Sequence, residues 1–190
     1  MSRETPLTAV ARPALRAGVL LVYILGVEWT RALVGTAPYA AIPALVLGGL
    51  ALAVTAWGWS WSSLGLGSSR LGLRLLGGVA IAAVLLLPAA VRAGAAPMLT
   101  VSLAAAAVVV SVGEEIAFRG ALFAALEQVG GAPLAVIGTT VAWTAAHALS
   151  HPPEFLGAVA AAGLLLGLWR AVCRDLVAPI VGHVIADLAL

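Results

Sequence analysis

The sequence predicts an all-α integral membrane protein, a bundle of about seven transmembrane helices, on three observations. Its 190 residues are 63% hydrophobic and only 9% charged, with a mean hydropathy of +1.11, whereas a soluble domain is about 25% charged. The apolar residues come in Leu, Ala, Val and Gly runs of about 20 residues, the length that crosses a hydrocarbon core as a helix. Those runs lack the two-residue alternation of barrel strands, which leaves helices to satisfy the backbone in lipid.

Pro, Gly, Arg and Trp punctuate the runs and place spans near 14–34, 38–57, 71–91, 98–126, 132–150, 155–171 and 175–190. Arg3, Arg12 and Arg16 precede the first, which is too long for a signal-peptide core and shows no AxA-like cleavage site, so it reads as a retained span. Between the second and third, Trp57, Trp59 and Trp61 form an aromatic belt ahead of an interfacial GLGSSRLGLR. The glycines there follow no strand, so they do not make a phosphate loop. On the sixth span Gly163 and Gly167 form a small-xxx-small face, read as intramolecular packing. The seventh is short and has no polar tail. Together the spans make residues 1–190 one domain with no room for a soluble unit.

The formal charge of +2 comes from ten Arg and no Lys, dispersed along the chain, which excludes a nucleic-acid footprint. Arg3, Arg12, Arg16, Arg70, Arg74, Arg170 and Arg174 fall on one side of the spans, against Arg31 and Arg92 on the other. The positive-inside rule therefore predicts a multi-pass protein with a cytoplasmic N-terminus. Cys173 stands alone, which excludes an internal disulfide and suggests packing rather than chemistry.

Ionisable groups inside spans are the informative exceptions. A charge at a helix centre costs about 2.5–3.5 kcal/mol on insertion scales, so such groups face a protein interior or a water cavity and mark function. In VVVSVGEEIAFRGALF, Glu115 and Arg119 are four apart and share a helix face, while Glu114 points about 100° away. One glutamate is thus neutralised and Glu114 is left as the better general base. In VAWTAAHAL, Trp143 and His147 share a face near the end of the fifth span, and His151 beside Pro152 reads as ordinary packing. In GHVIADLAL, His183 and Asp187 are a further i, i+4 pair, in which the carboxylate can orient the imidazole. Glu28 and Arg31, three apart on the first span, read as a structural pair that neutralises itself. With about 1.5 Å of rise per residue, Glu114, His147 and His183 lie roughly 14–22 Å from the cytoplasmic ends of their spans, a common mid-membrane depth.

EExxxR at Glu114, Glu115 and Arg119, an aromatic-xxx-His at Trp143 and His147, and HxxxD at His183 and Asp187 together resemble the CPBP intramembrane proteases. That group includes the CaaX prenyl endopeptidases and bacteriocin-processing or immunity proteins. The resemblance covers the motif-bearing core, about 98–190, and implies a bundle with a water-accessible cavity and an endopeptidase acting on membrane-tethered proteins. It assigns Glu114 and His147 to water activation, His183 and Asp187 to the oxyanion or to orienting the water, and Glu115 with Arg119 to helix register. It leaves two catalytic types open, a glutamate-dependent endopeptidase or a metallo-endopeptidase, and for the second Glu114, His147 and His183 could supply a divalent metal, zinc, with a His2Glu set and an open position. The chain departs from the family in having Trp143 where Phe is usual and Asp187 where Asn is frequent, and Asp187 as a carboxylate cannot donate a hydrogen bond. The Ala, Gly and Arg bias suggests a GC-rich bacterium and its inner membrane, where sortase-like members such as the myxosortases remove C-terminal sorting signals. Two other classes compete: a non-enzymatic immunity or scaffold protein of this fold, and a proton carrier, against which few intramembrane carboxylates and no internal repeat weigh.

Overall fold

The computed structural model describes residues 6–67, 69–87 and 99–189. The predicted limits at 91 and 98, Arg3, Arg92 and Leu190 lie outside the described residues. All regular structure among the described residues is helical: α1 (Pro6–Val34), α2 (Ala41–Ala53), α3 (Leu71–Leu85), α4 (Val101–Glu115), α5 (Phe123–Ala146), α6 (Leu156–Cys173) and α7 (Val177–Ala189). A π-helical segment, Ile116–Leu122, joins α4 to α5 without a break. Three stretches are long and apolar enough to cross a membrane, Arg12–Val34, Val101–Leu149 and Pro153–Cys173, and three shorter apolar helices accompany them.

The longest of these is not one rod. Gly130 and Gly131 leave helical geometry inside α5, and Gly131 adopts φ +72°, ψ −175°, a conformation open essentially to glycine alone. The chain doubles back there. A Cβ on Gly138 would lie 2.7 Å from the Leu126 side chain, and Phe123 shares a buried cluster with Ala135 and Val136, whereas residues 12 apart on a straight helix are about 18 Å apart. Pro133 follows as a first-turn residue. The break falls in the gap predicted between the fourth and fifth spans.

The polarity of the bundle is that of a protein in lipid. Leu15, Val19, Val22 and Leu33 are exposed along α1, while Glu28, Glu114, Glu115, Arg119 and His183 are buried. Helices α3 and α7 pack together, α2 lies on α4, α5 on α6, and α1 on α5. Glycine permits the tightest contact: a Cβ on Gly113 would stand 2.2 Å from the Gly49 carbonyl, so α4 and α2 touch backbone to backbone beside Glu114. Gly163 packs under Trp143, and Gly167 lies against Val136 and Thr139, so the small-residue face of α6 is used inside the chain.

At the end holding the start of α1, the Arg16 guanidinium lies 3.6 Å over the Trp59 ring, while Trp57 and Trp61 are exposed. Arg170, counted above as a topological charge, is buried there. Its Nε donates to the Arg119 carbonyl at 3.1 Å and its Nη2 to the Ser63 carbonyl at 2.8 Å. Asp175 caps α7 by accepting from the amides of Val177 and Ala178 at 2.9 and 3.1 Å. Cys173 is exposed, which corrects its reading as a packing residue: it is the last residue of α6.

Candidate active site

Glu114 and Glu115 are the last two residues of α4, and the π segment then carries Arg119. Wider π turns recur at functional positions because they re-aim side chains without ending a helix. Arg119 Nη1 donates to Glu115 Oε1 at 2.7 Å, with both side chains fully buried. The guanidinium lies 4.2 Å over the Trp143 ring, and its Nη2 reaches the Gly163 carbonyl at 3.4 Å. The i, i+4 spacing predicts this pair, and it forms.

Glu114 differs from its expectation. Arg31 Nη2 donates to Glu114 Oε1 at 2.7 Å, and the same nitrogen pairs with Glu28 Oε2. The general base is therefore not left without a fixed partner, and Glu28 with Arg31 is not a self-contained structural pair. Arg31 reaches across because Gly48 gives it room: a Cβ there would lie 2.7 Å from the arginine Cδ.

His183 gathers the carboxylates. Its Nδ1 lies 3.0 Å from Glu115 Oε1, and its Nε2 lies 3.3 Å from Asp187 Oδ2 and 3.9 Å from Glu114 Oε2. Both ring nitrogens face carboxylate oxygens, which only accept, so N–H donors at both positions satisfy them. Ser111 Oγ stands 2.7 Å from Asp187 Oδ2 and 2.6 Å from the Ala107 carbonyl, with one proton to give to either. Four acidic or imidazole groups from α4 and α7 thus meet at one point, Glu114, Glu115 and His183 buried and the Asp187 side chain 34% exposed.

His147 is joined to them through Trp143. Its Nδ1 lies 2.8 Å from the Trp143 carbonyl; a carbonyl only accepts, so Nδ1 carries the proton and Nε2 of the neutral ring is an acceptor. The Trp143 ring lies 4.4 Å from the His147 ring and 5.2 Å from that of His183. Among the described residues no hydrogen bond or ion pair joins His147 to Glu114 or His183. His151 bonds Ser150 and stacks on Phe155, the packing role its position suggests.

The donor set does not fit a metal ion. Among the described residues no three His, Cys, Asp or Glu side chains are arranged to hold one. The cation against Glu114 is the Arg31 guanidinium, both nitrogens of His183 are engaged by carboxylates, and His147 stands apart. The His2Glu zinc set is thus not assembled. The cluster instead has spare hydrogen-bonding capacity: Glu28 Oε1, Arg31 Nε, Glu115 Oε2, Arg119 Nε and Trp143 Nε1 are buried without a protein partner. Such groups cost about 1–3 kcal/mol each unless something bonds them, so the site favours water or a peptide group.

Sequence reasoning missed Arg31 and Glu28 as members of the site, Ser111 as the partner of Asp187, and Gly48. The available signal was a pair of charges inside an apolar span, the same signal that singled out Glu114.

Residues 96–189 match a family model described as Rce1-like, type II CAAX prenyl endopeptidase Rce1-like. Comparisons with curated proteins and with solved structures return no match.

Proposed function

Because residues 96–189 belong to the Rce1-like family of CAAX prenyl endopeptidases, we propose that this chain is a glutamate-dependent intramembrane endopeptidase that cuts near the C-terminal anchor or sorting signal of membrane-tethered proteins. The family is one of intramembrane proteases acting on membrane-anchored substrates. The observation that supports the reading is the meeting of the buried Glu114, Glu115 and His183 with the partly exposed Asp187, with unsatisfied polar atoms around them.

Arg31 occupies one oxygen of Glu114, and Oε2 is the oxygen turned toward His183. Oε2 takes a proton from the attacking water as the water adds to the scissile carbonyl. Nε2 of His147 is the second acceptor that aligns this water, and Glu114 later returns the proton to the leaving amine. The His183 Nε2–H, held by Asp187 Oδ2 at 3.3 Å, is shared with the developing oxyanion as it forms. Asp187 accepts from His183 and from Ser111, so it orients the imidazole, the role open to an aspartate in place of the usual asparagine. Glu115 and Arg119 hold the opposite side of the ring.

The test is cleavage of a reporter with a C-terminal hydrophobic helix and a basic tail, reconstituted with the purified protein in liposomes. Glu114→Gln and His183→Ala are each expected to lower turnover by about 100-fold or more while far-ultraviolet dichroism and thermal unfolding show a folded protein. Wild-type turnover in either folded variant rejects the assignment.

A further inference from the structure

The matched segment begins at residue 96, yet the cation bonded to Glu114 comes from α1. Arg31 Nη2 contacts Glu28 and Glu114 together, spending its two hydrogens on two carboxylates, and the Arg31 side chain is only 16% exposed. Glu28 is 1% exposed. The geometry is over-determined from both sides. Gly48 leaves space for the arginine stem, and Trp29, between Glu28 and Arg31, donates its indole N–H to the Ala145 carbonyl at 3.0 Å. One turn of α1 is therefore tied both to Glu114 and to the end of α5 that carries His147.

We propose that Arg31, braced by Glu28, is a positioning residue for Glu114: it holds Oε1 and so keeps Oε2 turned toward His183. The proposal rests on the endopeptidase reading for its consequence, but the cation and its brace come from α1, outside the matched residues. A carboxylate released from Arg31 can rotate, and both of its oxygens become equivalent to an incoming water. A lysine at the same place supplies a compact ammonium on a flexible stem, enough to hold one oxygen though not in the planar guanidinium geometry.

Two readouts on the full chain in liposomes separate positioning from mere stability. The first is the rate at which an apolar carbodiimide labels Glu114, followed by peptide mass spectrometry, which requires no substrate. The second is the kcat and KM split for the anchored reporter. In Arg31→Gln, labelling of Glu114 is expected to rise at least tenfold, and kcat to fall at least tenfold with KM within twofold. Arg31→Lys should stay within threefold of wild type on both. Should Arg31→Gln not fold, Gly48→Ala shifts the guanidinium without removing it and is expected to move both readouts in the same directions. Wild-type labelling in the folded variant overturns the proposal, and so does faster labelling with unchanged kcat. If Glu114→Gln cleaves like wild type, the endopeptidase reading fails, while the labelling contrast still decides whether Arg31 holds Glu114.

Discussion

His183 Nδ1 lies 3.0 Å from Glu115 Oε1, an imidazole of the last helix against a carboxylate 68 residues earlier. The same oxygen accepts from Arg119 at 2.7 Å. One carboxylate oxygen thus ties the buried ion pair of the π segment to the histidine that faces Glu114, and fold stability and chemistry share an atom.

A contrast between the adjacent glutamates follows. Glu115→Gln takes from the fully buried Arg119 its bonded counter-charge, and breaking a buried pair from one side costs about 3–5 kcal/mol. Glu114→Gln leaves Arg31 still paired with Glu28, so its stability should fall by much less while turnover is lost. Unfolding in detergent at fixed pH, read beside reporter cleavage, checks both. Equal destabilisation by the two substitutions would contradict the division of labour between them.

The local parts of this site were legible in the sequence because they obey helical periodicity. Glu115 with Arg119, Trp143 with His147, and His183 with Asp187 all sit four apart and all meet. The break between the fourth and fifth spans was legible from Gly130, Gly131 and Pro133. What stayed hidden depends on which face each helix turns to its neighbours. Arg31 meets Glu114 across 83 residues and Ser111 meets Asp187 across 76, and no spacing within one helix encodes either. Neutralising Glu28 against Arg31 alone overlooked that one guanidinium nitrogen carries two hydrogens.

Gly113→Ala places a methyl group 2.2 Å from the Gly49 carbonyl, a contact with backbone rather than with a side chain that could swing away. Helices α2 and α4 must separate, at about 1–3 kcal/mol for an overpacked interior, and Glu114 moves with its helix. Gly18→Ala on exposed α1 meets nothing within 4 Å and should be neutral, or stabilising by about 1 kcal/mol from helix propensity. Thermal unfolding of the two variants side by side is the measurement. A stable Gly113→Ala protein would mean that the two helices are not in backbone contact.

Gly131→Ala tests the reversal inside α5. At φ +72°, ψ −175° a Cβ is strained whatever the space, at a cost of about 1–3 kcal/mol. The variant should unfold at lower temperature than wild type, whereas Gly157→Ala, with no neighbour within 4 Å, should not. If the two variants melt together, the chain does not turn at Gly131.

Trp143 separates ring from indole N–H. Its ring touches Phe118 at 5.2 Å, His147 at 4.4 Å and His183 at 5.2 Å, and lies under Arg119, yet its Nε1 is buried without a protein partner. Trp143→Phe keeps an aromatic face against the two histidines and removes a donor whose burial costs about 1–3 kcal/mol. Against that gain stand a smaller ring volume and a weaker cation–π contact, an interaction of about 2 kcal/mol when desolvated, part of which a phenyl ring retains. The opposing effects are of similar size, so stability should remain within about 1 kcal/mol of wild type and reporter cleavage should persist. Trp143→Ala loses the ring altogether, at about 3–5 kcal/mol, and with it the surface that links His147 to His183, so cleavage should disappear. Denaturant unfolding and reporter turnover on both variants decide the matter: a Trp143→Phe protein as damaged as Trp143→Ala would mean that the indole N–H, bonded to water or to substrate, is what the site requires.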